Sequence, residues 1–224
     1  MGQGRCFSHG EAKRFYDGLG AALDTQAFYE APVSRILLEH LDLKTSRAVV
    51  EFGCGTGRLA EEMLKDHLPP DAGYLGLDIS GTMVALTGKR LARYGNRVCV
   101  SQSEGTPRIG AADNAFDRFI CTYVLDLLSD DEIRAVLEEA HRILEPGGLL
   151  GLISLTNGTT AMSAAVSSVW GLLHRISPWI VGVCRPVRLA AAISPTEWKI
   201  GYTNVVTPYG IPSELVVATC ISKV

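Results

Sequence analysis

The chain has 224 residues, 47% of them hydrophobic and 20% charged, with 21 Lys and Arg against 24 Asp and Glu for a formal net charge of −3. A chain of this size buries about 70% of its unfolded surface, so one ordinary domain needs no disulfide or metal staple. The hydrophobic fraction excludes global disorder. The slightly acidic balance argues against a nucleic-acid binder working through bulk charge, which shows a basic stripe.

The first residues, MGQGRCFSHGEAKRFYDG, hold no apolar run of the kind that opens a signal peptide, so a cytoplasmic protein is expected. Apolar spacing predicts two helices, around His9–Leu23 and Ala27–Leu41, ahead of the first strand. Tyr16, Phe28 and Tyr29 sit on them and either pack the helices down or close over a site. Ala48–Phe52 is a β-branched run ending in glycines, a buried strand. Arg58–Leu68 carries Leu59, Ala60, Met63 and Leu64 on one helical face and stops before Pro69-Pro70. Tyr74–Asp78 is a second strand, and Ser80 caps a helix running to about Tyr94. Arg97–Val100 and Phe116–Thr122 are strands three and four. Ser129 and Glu132 form a capping box ahead of a helix with Ile133, Val136, Leu137, Ala140, Ile143 and Leu144 on one face. Pro146-Gly147-Gly148 reads as its stop, and Leu149–Leu155 as strand five.

Strands alternating with helices predict a parallel sheet covered on both faces. Trp198–Val206 and Leu215–Ile221 are separated by a connection too short for a crossover, so they pair antiparallel and the sheet is mixed. Ala161–Arg185 is apolar but interrupted by His174, Arg175 and Pro178, which reads as buried or amphipathic helices rather than a membrane span. The six cysteines are dispersed, without metal spacing, so no metal site is expected. Cys99, Cys121 and Cys220 lie in apolar runs and read as small core residues. The five histidines are scattered and read as surface or helix residues.

The chemistry concentrates at Glu51-Phe52-Gly53-Cys54-Gly55-Thr56-Gly57, which leaves a strand and opens a helix. Glycines there allow a tight turn and close approach of a ligand. Asp78, at the end of the next strand, can accept both hydroxyls of a ribose. A dinucleotide site wants G-x-G-x-x-G; the spacing here is G-x-G-x-G, followed by Arg58. Glu51 also aims an acid at the loop, which repels a pyrophosphate and suits a cationic ligand such as S-adenosylmethionine, with its sulfonium and ammonium.

VVEFGCGTGRLAEEML resembles the first motif, E/D-x-G-x-G-x-G, of the class I S-adenosylmethionine-dependent methyltransferases. YLGLDIS resembles their second motif, with Asp78 as the ribose acid. SQSEG stands where family members carry a polar or acidic adenine contact, here Ser103 and Glu104. ADNAFDRFICTYVL is similar to the fourth-strand P-x-x-x-F-D motif without its proline, and AHRILEPGGLLGLISL to R-x-L-x-P-G-G. The resemblance spans about residues 47–155 and is nearest the UbiE-like small-molecule group. It implies a Rossmann-like, seven-stranded mixed sheet with an antiparallel last strand and helices on both faces. It also implies S-adenosylmethionine as cofactor, held by Glu51, Gly53, Cys54, Gly55, Asp78, Ile79, Met83, Ser103, Glu104 and Cys121. Where quinone methyltransferases of that group have V-L-H-H, this chain has Val124-Leu125-Asp126-Leu127, so Asp126 is the one candidate for a catalytic base.

One domain is expected: an N-terminal helical lid (1–46), a cofactor-binding core (47–155), a helical substrate lid (156–196) and a terminal hairpin (197–224). The function expected is methyl transfer to a small lipophilic or aromatic acceptor, with no nucleic-acid partner and no membrane span, though peripheral membrane contact stays open. An NAD-dependent oxidoreductase, an aminopropyltransferase-like enzyme and a non-catalytic cofactor-binding protein share the layout. Glu51 and the loop spacing disfavour the first, and the second lacks a further acidic pair for a polyamine.

Overall fold

The computed structural model describes residues 8–157 and 185–221. Cys6, Cys184 and most of the expected substrate lid, from residue 158 to 184, lie outside them. In chain order the elements are α1 (His9–Leu19), α2 (Ala27–Glu39), β1 (Ala48–Phe52), α3 (Arg58–Glu62), β2 (Gly73–Asp78), α4 (Gly81–Leu91), β3 (Val98–Gln102), β4 (Phe116–Thr122), α5 (Asp130–Ile143), β5 (Leu144–Leu155), α6 (Leu189–Ala192), β6 (Trp198–Val206) and β7 (Ser213–Cys220).

The strands form one sheet in the order β3-β2-β1-β4-β5-β7-β6. The pairs from β3 to β5 are parallel, and β7 runs antiparallel to both β5 and β6. β7 is therefore the one reversed strand, and it lies inside the sheet rather than at its edge. This is the Rossmann-like mixed sheet implied by the sequence. α5 and α6 cover one face, burying Val136, Ala140, Leu189 and Trp198 against Phe119 and Leu150. α2 and the helix that follows β1 cover the other, with Leu37, Leu41 and Met63 against Val49 and Ile153.

Three local expectations change. Cys99 is exposed, unlike buried Cys121 and Cys220, because β3 is an edge strand whose alternate side chains reach solvent. β5 begins at Leu144, not Leu149: Leu144 pairs with Phe116, and the register shifts before Arg118 meets Leu149. Pro146-Gly147-Gly148 thus forms an irregularity inside the strand, with Gly147 at φ +84°, rather than a break between helix and strand. The helix behind Ser80 ends at Leu91 and tightens into a 3-10 stretch through Arg97, where Gly95 takes φ +62°. Among the described residues no helix is long and apolar enough to cross a membrane.

Candidate functional site

In an open α/β sheet a ligand crevice forms at the carboxyl ends of the strands where the order reverses. Here β1 lies between β2 and β4, and the three strands end at Phe52, Asp78 and Thr122. The glycine loop is sewn to β2: the N–H groups of Gly53 and Cys54 both donate to the Leu77 carbonyl, at 2.8 and 2.9 Å. Gly53 has φ +82°, and a Cβ there would sit 2.2 Å from Val124 Cγ2. Gly57, at φ +77°, opens α3 without a side-chain cap; a Cβ there would lie 2.8 Å from Thr87 Cγ2. The Thr87 hydroxyl donates to the Gly55 carbonyl at 2.6 Å, so α4 braces the loop from behind.

Asp78 is 9% exposed. Its Oδ2 accepts from the Gly55 N–H and its Oδ1 from the Ser80 N–H, both at 2.9 Å. The side chain does more than face a crevice: it ties the β1 loop to the start of α4. Each oxygen keeps a further lone pair for a hydroxyl. Burial pushes its carboxyl above the ordinary range, against the pull of those N–H groups. Glu51 is buried deeper, at 1% exposure, and accepts a 2.5 Å hydrogen bond from the Tyr74 hydroxyl. Burial raises it to about 8, with the nearby Asp78 adding to the rise, so its carboxyl is largely protonated at neutral pH.

The opposite wall comes from the N-terminal helices. His9, Tyr16, Leu23, Asp24, Glu30 and Ser34 line the cavity. Asp24 accepts from Thr56 Oγ1 and Arg90 Nη2 at 2.5 and 2.6 Å, and Glu30 pairs with Arg58 at 3.0 Å. Burial raises the Glu30 carboxyl, while the Arg90 and Thr56 hydrogen bonds outweigh burial and lower that of Asp24. His9 reaches Glu132 on α5 at 2.6 Å, across the mouth, and its ring occupies the space a Cβ at Gly105 would need. Asp17 accepts from the Ser80 hydroxyl at 2.6 Å, and Lys13 with Ser80 holds its carboxyl well below the usual range.

Past the ends of β1 and β4 the lining turns apolar, with Phe52, Tyr123, Val124, Leu127 and Leu128. Tyr123 takes φ +56°, uncommon for a bulky residue, and its hydroxyl donates to Ser213 Oγ at 3.2 Å. Among the described lining residues, Asp24, Glu30, Glu51 and Asp78 face a single Lys or Arg, Arg58, already held by Glu30. Such a cavity favours a cation and offers little to a pyrophosphate.

Of the sequence-derived candidates, Glu51, Gly53, Cys54, Gly55, Asp78, Ile79 and Ser103 line the cavity. Met83, Glu104, Cys121 and Asp126 are not among its lining residues. Met83 is fully buried in the first turn of α4, and Cys121 is fully buried on β4. Glu104 points to solvent from the loop after β3. Asp126 is fully buried in the turn Leu125–Leu127, where its carbonyl accepts from the Arg185 N–H at 2.8 Å. Sequence reasoning missed His9, Asp24 and Glu30. Gln26, at the N-cap of α2, and Glu30 and Ser34 within it are spaced four residues apart and line the cavity together; for Glu30 that spacing was the available signal.

A family model described as a methyltransferase domain matches residues 49–148. O-methyltransferase 3 of Dictyostelium discoideum is 32% identical over 106 residues, 46% of this chain and 24% of that protein. A thiol S-methyltransferase of Rattus norvegicus is 30% identical over 147 residues, 62% of this chain and 57% of that protein. The chain thus spans less than two thirds of the length of these curated relatives. Among solved structures, the cyclase SpnF is similar with a TM-score of 0.75 at 16% identity, over 97% of this chain and 98% of that one. The N-methyltransferase NodS of Bradyrhizobium japonicum WM9, in complex with S-adenosyl-L-homocysteine, has a TM-score of 0.64 at 16% identity, over 86% and 88%. At these identities the structural likeness establishes the fold.

Proposed function

We propose that the chain is a class I methyltransferase that uses S-adenosylmethionine and acts on a small lipophilic or aromatic acceptor of the kind handled by the UbiE-like group. The observation that carries this is the acidic lining of the cavity: the carboxyl side chains of Asp24, Glu30, Glu51 and Asp78, and among the described lining residues one paired arginine, around a glycine loop at the carboxyl ends of β1, β2 and β4. The match of residues 49–148 to a methyltransferase domain supports the same reading.

The residues fit the cofactor. Asp78 keeps a lone pair on each oxygen for the two ribose hydroxyls. Ile79 and Ser103 border that end, where a base would lie. Glu51 and the loop backbone, which also line the cavity, would meet the cationic end. When bound, S-adenosylmethionine supplies an electrophilic methyl group on a sulfonium. The protein's part is to align a nucleophile with it and keep water out. Val124, Leu127 and Leu128 give the apolar wall on which a lipophilic acceptor would rest. The acidic lining disfavours a polyphosphate partner, which wants Lys and Arg at the opening.

The test is a melting scan followed by transfer assays. A ligand at a hundredfold excess over Kd raises native stability by about 2.7 kcal/mol. S-adenosylmethionine and S-adenosylhomocysteine should raise the melting temperature clearly, and NAD should not; an equal shift with NAD alone sinks the reading. Labelled methyl offered with phenols, thiols, quinols and RNA should go to one of the small acceptors, and label on RNA would overturn the acceptor class.

A further inference from the structure

Glu51 and Tyr74 form a buried pair beneath the glycine loop. In the β1–β2 register Glu51 stands beside Gly76 and Val49 beside Tyr74, so Tyr74 and Gly76 share one face of β2. A Cβ at Gly76 would lie 2.9 Å from Tyr74 Oη and 3.2 Å from Cys54 Sγ. The missing side chain is therefore what lets a 3%-exposed tyrosine lay its hydroxyl against Glu51. Among the described residues, the Tyr74 hydroxyl is the one side-chain donor recorded to the Glu51 carboxyl.

The other charged or titratable groups around Glu51 supply no free cation. Asp78, on the same strand as Tyr74, is an acid. Cys54 on the loop, Tyr74 on β2 and Cys121 on β4 are all pushed upward by burial and stay neutral. Arg58 on α3 favours the charged form only weakly against burial, and its guanidinium is bonded to Glu30. In the unliganded cavity the counter-charge of Glu51 is thus its own proton.

We infer that a cationic ligand replaces that proton, so that binding converts the Glu51 carboxylic acid to a carboxylate and releases one proton to solvent, with Tyr74 as the positioning residue that makes the ionisation possible. The inference rests on the proposed cofactor reading. The exchange balances: the ligand cation takes the place of H⁺ on one carboxyl, and the proton goes to buffer. The Tyr74 donor favours the carboxylate over the acid, which is why the exchange depends on it.

Calorimetric titration with S-adenosylhomocysteine at about pH 7, in phosphate and in Tris, measures the proton count from the difference in heat. Close to one proton should leave the native protein. Glu51→Gln should abolish the release and weaken binding by about tenfold or more. Tyr74→Phe should bind several-fold more weakly at about pH 7 and recover toward native affinity at about pH 8.5. A merely structural tyrosine would give no such recovery. Binding with equal heats in both buffers, or release that persists in Glu51→Gln, overturns the inference while leaving the cofactor reading intact. Failure of the native protein to bind either adenosyl ligand overturns that reading instead. The pair is then still tested by NMR of the unliganded protein labelled at the glutamate δ-carboxyl carbon: absence of a carboxyl titrating above pH 7 and removed by Glu51→Gln defeats it.

Discussion

The two walls of the cavity are built on different terms. The inner wall is the glycine loop and the ends of β1, β2 and β4. Every turn of it is fixed by short backbone hydrogen bonds, by Asp78 bridging two N–H groups, and by Val124 and Thr87 filling the space glycine leaves. The outer wall is α1 and the turn behind it. α1 buries none of its residues, and it is held by a capping box, by Asp17 on Ser80 and by His9 on Glu132. The turn behind it adds the Asp24 bonds to Thr56 and Arg90. The partly exposed His9–Glu132 pair contributes about 0–1 kcal/mol, so the outer wall rests on a few polar contacts where the inner one is fixed by its backbone and its packing. The comparison teaches where recognition is set in advance and where entry is allowed.

The sharpest way to break the inner wall is Gly53→Ala. Overpacking against Val124 costs about 1–3 kcal/mol, and the left-handed backbone at φ +82° adds about 1–2 kcal/mol. At about 2–4 °C per kcal/mol for a domain of this size, the melting temperature should fall by about 4 °C or more, with cofactor binding lost. A melting temperature unchanged from the native protein would show that the loop is not packed as described.

Asp78→Ala should come next. It removes the ribose acceptor and also orphans the Gly55 and Ser80 N–H groups, each orphan costing about 1–3 kcal/mol. Calorimetry should record at least about a tenfold loss of affinity, together with a lower melting temperature. Asp78→Asn keeps one acceptor and should regain part of the stability but little of the binding. Full stability in Asp78→Ala would assign the residue to the ligand alone.

The acids of the inner wall also set a pH dependence. Glu51 is raised to about 8, so the folded state holds its proton more tightly than the unfolded chain does. Its contribution is fully present below the unfolded value, near 4.5, and is lost as pH rises toward 8. Stability of the unliganded protein should therefore decline between about pH 5 and pH 8, and Glu51→Gln should flatten that slope by about 1 kcal/mol or more. A slope identical in the variant would move the effect elsewhere, with Asp78 and Glu30, also raised by burial, as the next groups to examine.

The smallest effect belongs to the outer wall. His9→Ala should leave the melting temperature within about 2 °C, since the pair is partly exposed. It should nonetheless speed hydrogen exchange across His9–Leu19 and hasten ligand release. If exchange in α1 stays as slow as in β1, the two walls are equally firm and the contrast fails.

The same contrast governs how much could be read in advance. β1 and β4 matched their expected bounds because a buried parallel strand carries its signal in a short local run, and Glu51, Gly53 and Asp78 stand at the ends of such runs. His9 and Asp24 reach the cavity only through long-range docking of the N-terminal helices, which no local pattern encodes, whereas Glu30 shares its four-residue spacing with Gln26 and Ser34. Cys99 went astray because an apolar run does not say whether its strand lies at an edge. Met83 and Cys121 lie near the site in sequence, yet their side chains turn into the core behind it.

The position of β7 has a consequence for how the sheet is completed. β6 has one neighbour, and that neighbour is the strand made after it. Until Ser213–Cys220 has been synthesised and slotted beside β5, where Leu150 meets Ala218, β6 has nowhere to dock. Assembly of this half of the sheet is therefore an insertion rather than a growth from the edge. A cut or frameshift anywhere between β6 and β7 should release two strands instead of one and leave β5 as the new edge, while the parallel pairings within β3-β2-β1-β4-β5 and the loop they carry stay in place.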